Sequence, residues 1–116
     1  MELCQVVDLQ PECFEEYRDA HLKVPVEKEL ESVGLGKIRV YCWGPSGNCN
    51  GPIRLVMTAV WTPTIEETFE QAMERYMTLP GVADWEAWMD TLKVALPGCD
   101  GPQWKRCETL YKTPGT

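Results

Sequence analysis

What this chain lacks narrows its chemistry before any residue is given a role. It has one histidine, His21, so no cluster of histidines can hold a metal. It has no glycine-rich phosphate loop of the GxGxxG or Walker type, no HExxH and no GxSxG, which argues against nucleotide-dependent, zinc-dependent and serine-hydrolase chemistry. No apolar run approaches the roughly 20 residues of a membrane span. The 11 basic residues are scattered among 18 acidic ones, for a net charge of -7, so neither an anionic membrane nor nucleic acid is an expected partner. No CxxC pair occurs among Cys4, Cys13, Cys42, Cys49, Cys99 and Cys107. The opening MELCQVVDLQPE has an acid at position 2 and no basic segment before an apolar one, so it does not read as a secretory signal. The expected location is cytoplasmic, with the cysteines reduced and packed as small hydrophobes, although Cys42 and Cys49 flank a turn.

What is present reads as one domain over residues 1–116. LCQVVDL, residues 3–9, is a short β-branched strand closed by Pro11. A helix is expected from Pro11 to Leu22, with Phe14, Tyr17 and His21 at helical spacing on one face. Pro25 should break it, and VPVEKELESVG makes a second half ended by Gly34. KIRVYCW (37–43) and IRLVMTAVW (53–61) read as strands joined by the hairpin loop GPSGNCNGP. TPTIEETFEQAMERYM offers Thr64 as N-cap with Glu67 three residues on, and places Ile65, Phe69, Met73 and Tyr76 on one side. VADWEAWMDTLKVAL (82–96) reads as a further helix, and QWKRCETLYK (103–112) as a last strand. The order predicts an α+β, ferredoxin-like βαββαβ domain with its helices on one face of an antiparallel sheet. An apolar sheet face left in water is a sticky patch, so the bare face predicts a homodimer.

Two stretches could carry chemistry. In FEEYRDAH, His21 is the one side chain of the type that exchanges protons near neutral pH, and Tyr17 lies one turn before it. Such a pair can hold and polarise a hydroxylated ligand, although a lone histidine on a helix is more often simply packed. In DWEAWMD, Trp85 and Trp88 share a face, and indoles stack on sugars while their N–H donates to a hydroxyl. Core packing explains the same spacing, and Glu86 and Asp90, four apart, suit a solvated face.

Taken in order, VVDLQPECFEEYRDAH, PVEKEL, FEQAMERYM with DWEAWM, and CETLYK resemble the L-rhamnose mutarotase family of dimeric α+β barrels. The resemblance implies a cofactor-free aldose 1-epimerase acting on a monosaccharide such as L-rhamnose. By position it makes His21 the catalytic proton donor, Tyr17 a sugar contact and Trp85 a stacking residue. The chain departs from the family twice. Glu86 stands where the family usually has a second, adjacent tryptophan, the next here being Trp88. The family's substrate-binding tyrosine falls on Ile38 or Val40, so Tyr41 takes that role only after a one-residue slip. Glu86, Trp88 and Tyr41 complete the candidate substrate-binding set. The acid is His21, and the base is a second side chain such as Glu86, or a water. The rival expectations are the same barrel with cofactor-free cyclase, lyase or monooxygenase chemistry on an apolar molecule, and a non-enzymatic binding protein.

Overall fold

In a computed structural model, which describes residues 1–44 and 53–115, the chain folds as an antiparallel sheet carrying helices on one face. Strand β1 (Glu2–Leu9) runs into a 3-10 turn at Pro11–Cys13 and helix α1 (Phe14–Ala20), followed by α2 (Glu27–Ser32). Strands β2 (Leu35–Trp43) and β3 (Ile53–Trp61) come next, then α3 (Phe69–Met77), α4 (Val82–Leu92) and two short strands, β4 (Lys93–Val94) and β5 (Lys105–Arg106). The strand order is β2-β3-β1-β4, with β5 also on β1, and every pairing is antiparallel. The expected loop between β2 and β3, with Cys49, lies outside the described residues apart from Gly44.

Strand alternation sorts residues onto two faces. Val7 and Leu9 of β1 and Ile53 and Leu55 of β3 point towards the helices and form a core with Tyr17, Val26, Val33, Tyr76, Val82, Trp85, Met89 and Leu92. Burying that many large side chains, each worth roughly 1.5–3 kcal/mol relative to exposure, is what fixes the helices to this face. Leu3, Ala59, Trp61, Phe69 and Ala72 extend the core towards the other end of the strands. Between α2 and β2 the chain turns at Gly34, φ 96°, and a Cβ there would run into the Thr62 carbonyl oxygen. The Gly34 carbonyl accepts from the Thr62 N–H at 2.9 Å, and the Trp61 indole N–H donates to the Val33 carbonyl at 2.9 Å. Only glycine allows both the left-handed turn and that approach.

Several sequence expectations need correction. The second main helix is capped by Thr68, not Thr64: Thr68 accepts from the Gln71 N–H, and the Gln71 side chain accepts from the Thr68 N–H. That reciprocal box closes the helix four residues later than expected. Arg75 binds Glu67 at 2.6 Å and Thr64 at 3.3 Å, so the first apparent cap serves as a tether, and Ile65 lies exposed outside the helix. The last helix stops at Leu92 instead of Leu96, because Lys93–Val94 leaves it to pair with Asp8–Leu9 of β1. The expected closing strand is paired only at Lys105–Arg106, plus one hydrogen bond from the Cys107 N–H to the Cys4 carbonyl. The first helix ends at Ala20, two residues short of Leu22, and restarts beyond Pro25 at Glu27.

Candidate active site

His21 sits immediately beyond the last residue of α1, in the C-cap position. There the backbone tightens: the His21 N–H donates to the Arg18 carbonyl and the Leu22 N–H to that of Asp19, so neither takes the Tyr17 carbonyl. The imidazole takes the vacated partner, its Nδ1 lying 2.7 Å from the Tyr17 carbonyl oxygen. A carbonyl oxygen only accepts, so Nδ1 carries the hydrogen and Nε2 is left as the atom that can exchange a proton with a ligand.

Around that imidazole stand two aromatic rings. The Tyr17 ring lies 4.3 Å away, and the Trp85 indole meets His21 edge-on at 5.3 Å. Tyr17 and Trp85 are buried, at 7% exposure each, by packing of α1 against α4. All three line a cavity of about 370 Å³ between the helices and the sheet, within the roughly 300–1,000 Å³ usual for small-molecule sites. Gln5, Ile38, Val40 and Met57 supply its sheet side, and Met73, Tyr76 and Glu86 part of its helix side.

The polar groups of the cavity are set by burial. Burial, and then the negative charge of Glu86, push the Tyr17 phenol well above its ordinary range, so it stays neutral and able to donate. Its hydroxyl has no hydrogen-bond partner among the described residues. Tyr76, raised by burial and by Glu86, donates its hydroxyl hydrogen to Glu86 Oε1 at 3.0 Å. Burial raises the Glu86 carboxyl, while the Tyr76 hydrogen bond and the Lys93 charge oppose that shift and Asp90 adds to it. Lys93 is itself buried, paired with Asp90 at 3.2 Å and lying over the Trp104 ring at 5.4 Å. Among the described residues no group of histidine, cysteine and acid side chains could hold a metal ion, and no helix is long and apolar enough to cross a membrane.

The six candidate residues divide. His21, Tyr17, Trp85 and Glu86 meet in one cavity. Trp88 does not line it: its ring meets Trp85 edge-on at 5.7 Å, but it is 41% exposed and its N–H donates to Glu16 on α1 at 2.8 Å. It fastens α4 to α1 behind the site. Tyr41 pairs with Val56, whereas Val40 pairs with Met57 on the cavity side. A bulge between Gly36 and Arg39, with Lys37 at φ 50°, sets this parity. Ile38 and Val40 therefore line the cavity, whereas Tyr41, on the opposite parity of the strand, borders a neighbouring cleft at the sheet edge that Tyr17 and His21 also line. Sequence reasoning did not assign Gln5, Tyr76 or Lys93 to the site. Tyr76 had been visible as part of an apolar helix stripe, but nothing in that stripe announces a partner on another helix.

The L-rhamnose mutarotase family model matches residues 2–113, nearly the whole chain. No curated protein matches it. With a helix-end histidine, a tyrosine one turn before it and a buried tryptophan brought together in one cavity, and with that match spanning the fold, the chain belongs to the L-rhamnose mutarotase family.

Proposed function

We propose that the protein is an aldose 1-epimerase, interconverting the anomers of L-rhamnose or a related deoxy sugar by acid–base catalysis without a cofactor. Family membership supports an isomerase. The observation that carries the finer reading is the hydrogen bond from His21 Nδ1 to the Tyr17 carbonyl, which reserves Nε2 for the ligand. His21 is the proton donor to the ring oxygen, Tyr17 donates to a sugar hydroxyl, and Trp85 offers its indole to the apolar face of the ring. Each proton transfer of this kind contributes about 10²- to 10⁴-fold, which is adequate for a reaction that already proceeds in water.

The scaffold reading that goes with it is a ferredoxin-like domain whose second sheet face meets a second copy. The order β2-β3-β1-β4 supports the first part. The second is supported by Tyr41 and Trp43, 52% and 73% exposed on that face, and by a broad hollow of about 1130 Å³ bounded by Arg39, Thr58 and residues 107–112. That hollow contains none of the His21 group.

Exchange NMR of α- and β-L-rhamnose, with L-fucose for comparison, tests the activity. Wild-type protein should speed anomer exchange, and His21→Ala should lose at least about 100-fold of that acceleration. A folded His21→Ala protein with full activity would sink the proposal. One observation favours a second reading: Ile38, Val40, Met57 and Met73 make much of the cavity wall apolar, which suits an apolar substrate and other cofactor-free chemistry. That reading requires aromatic ligands, not sugars, to raise the melting temperature.

A further inference from the structure

Mutarotation needs two proton-transfer groups, and the histidine provides one. The geometry points to Glu86 as the other, the base that takes the anomeric hydroxyl proton while His21 gives one to the ring oxygen. The assignment rests on the epimerase reading. It concerns a residue at which this chain departs from the paired tryptophans of its family.

Three observations carry it. Glu86 lines the same cavity as His21, Tyr17 and Trp85, so its carboxylate and the imidazole border one volume. Its orientation is fixed, because Tyr76 from the neighbouring helix α3 donates to Oε1 at 3.0 Å, while Oε2 accepts no hydrogen bond from the described residues. Oε2 is therefore the oxygen left for a ligand. Finally, the Glu86 carboxyl is half-buried and has no ion-pair partner among the described residues: Lys93, the cation that acts on it, is bonded to Asp90. A carboxylate neither neutralised by a salt bridge nor flooded by water is a stronger base than one on a surface. The raised affinity of Glu86 for a proton brings it closer to neutral operating conditions, where a general base is most effective.

The step balances with these groups alone. Glu86 Oε2 removes the proton from the anomeric hydroxyl, and that O–H electron pair becomes the second bond of the new aldehyde. The bond between the anomeric carbon and the ring oxygen breaks, its pair going to the ring oxygen, which takes the Nε2 proton of a His21 that enters the step as the imidazolium and leaves it neutral with Nδ1–H still on the Tyr17 carbonyl. After rotation about the bond next to the aldehyde, the hydroxyl returns its proton to His21 and attacks the other face of the carbonyl. The carbonyl oxygen then recovers the proton held by Glu86. Both side chains end as they began.

Besides burial, the groups that act on Glu86 are Tyr76 on α3, Lys93 on β4 and Asp90 on α4, while Tyr17 and His21 at α1 face it across the cavity and Glu29 of α2 acts on Tyr76. Two variants separate catalysis from structure. Glu86→Gln keeps the shape and can still accept from Tyr76, so it should fold, bind rhamnose with KM within about threefold of wild type, and exchange anomers at least about 100-fold more slowly at saturation. Tyr76→Phe keeps the base but removes a hydrogen bond that favours its charged form, so the acid limb of the rate profile should move to higher pH. Glu86→Gln exchanging at the wild-type rate, or a Tyr76→Phe profile with an unmoved acid limb, would overturn this assignment and leave the epimerase reading intact. Wild-type protein that accelerates no sugar would overturn both.

Discussion

The two faces of this sheet are made by the same strands and behave as different surfaces. On β3, Leu55 is buried at 2% exposure beneath the helices, whereas the next residue, Val56, faces away and is only partly covered. On β2, Val40 lines the cavity and Tyr41 stands 52% exposed on the far side. The far face has its own internal order: Asp8, 3% exposed, is held by its cross-strand partner Arg54 at 2.9 Å and 3.4 Å. It nevertheless contains none of the groups gathered around His21. One face carries the helices and the cavity and the other is left open, and the difference is decided by residue parity within a strand rather than by composition.

The sharpest way to break this comparison is to truncate neighbours. Leu55→Ala should cost about 3 kcal/mol at any protein concentration, because it opens a cavity in a closed core. Val56→Lys should lower the melting temperature only at concentrations where the wild type sediments as a dimer, by an amount that vanishes on dilution. Equal, concentration-independent losses would show that the faces are not distinct. A smaller effect is expected from a matched pair of hydroxyl deletions. Tyr17→Phe should weaken rhamnose binding by about 1 kcal/mol, through loss of one donor in the cavity, while Tyr41→Phe should leave it within twofold. NMR titration of the sugar reads both, and a larger loss for Tyr41 would place the substrate on the wrong side of the sheet.

The smallest effect concerns pH. The folded protein holds the Glu86 proton more tightly than the unfolded chain does, so stability falls as pH rises from the ordinary glutamate range, near 4.5, through the raised folded value. Glu86→Gln removes that dependence. Its melting temperature relative to wild type should therefore climb across this window and level off above it, and a flat difference would mean that burial does not perturb the carboxyl.

Much of this arrangement was legible beforehand, for definable reasons. Tyr17, His21 and Trp85 were legible because local helical spacing puts a phenol beside an imidazole, and the tryptophan lies on the apolar side of its own helix. The side of β2 on which Tyr41 falls was not. Parity along β2 depends on the bulge at Gly36 to Arg39, and a residue inserted into a ladder leaves the amino-acid alternation readable on either side but not across it. TxxE at Thr64 reads as the cap in the sequence, but Arg75 captures Glu67 while the TxxQ pattern four residues on closes the box at Thr68. The Tyr76–Glu86 bond joins two helices ten residues apart in sequence, through an angle that no single-helix pattern encodes.

The early stop of α1 has a consequence for how this chain tolerates change in length. Because His21 occupies the position just past the helix and uses its own ring to satisfy the Tyr17 carbonyl, which of its ring nitrogens is left over is selected by counting residues, not by a dedicated partner side chain. One residue added or removed between Tyr17 and His21 would swing the imidazole by roughly 100° around the axis. That carbonyl would then return to a backbone donor. Insertions anywhere in residues 18–20 should thus be far less permissible than substitutions there, although Arg18 and Asp19 themselves are exposed and touch nothing in the cavity.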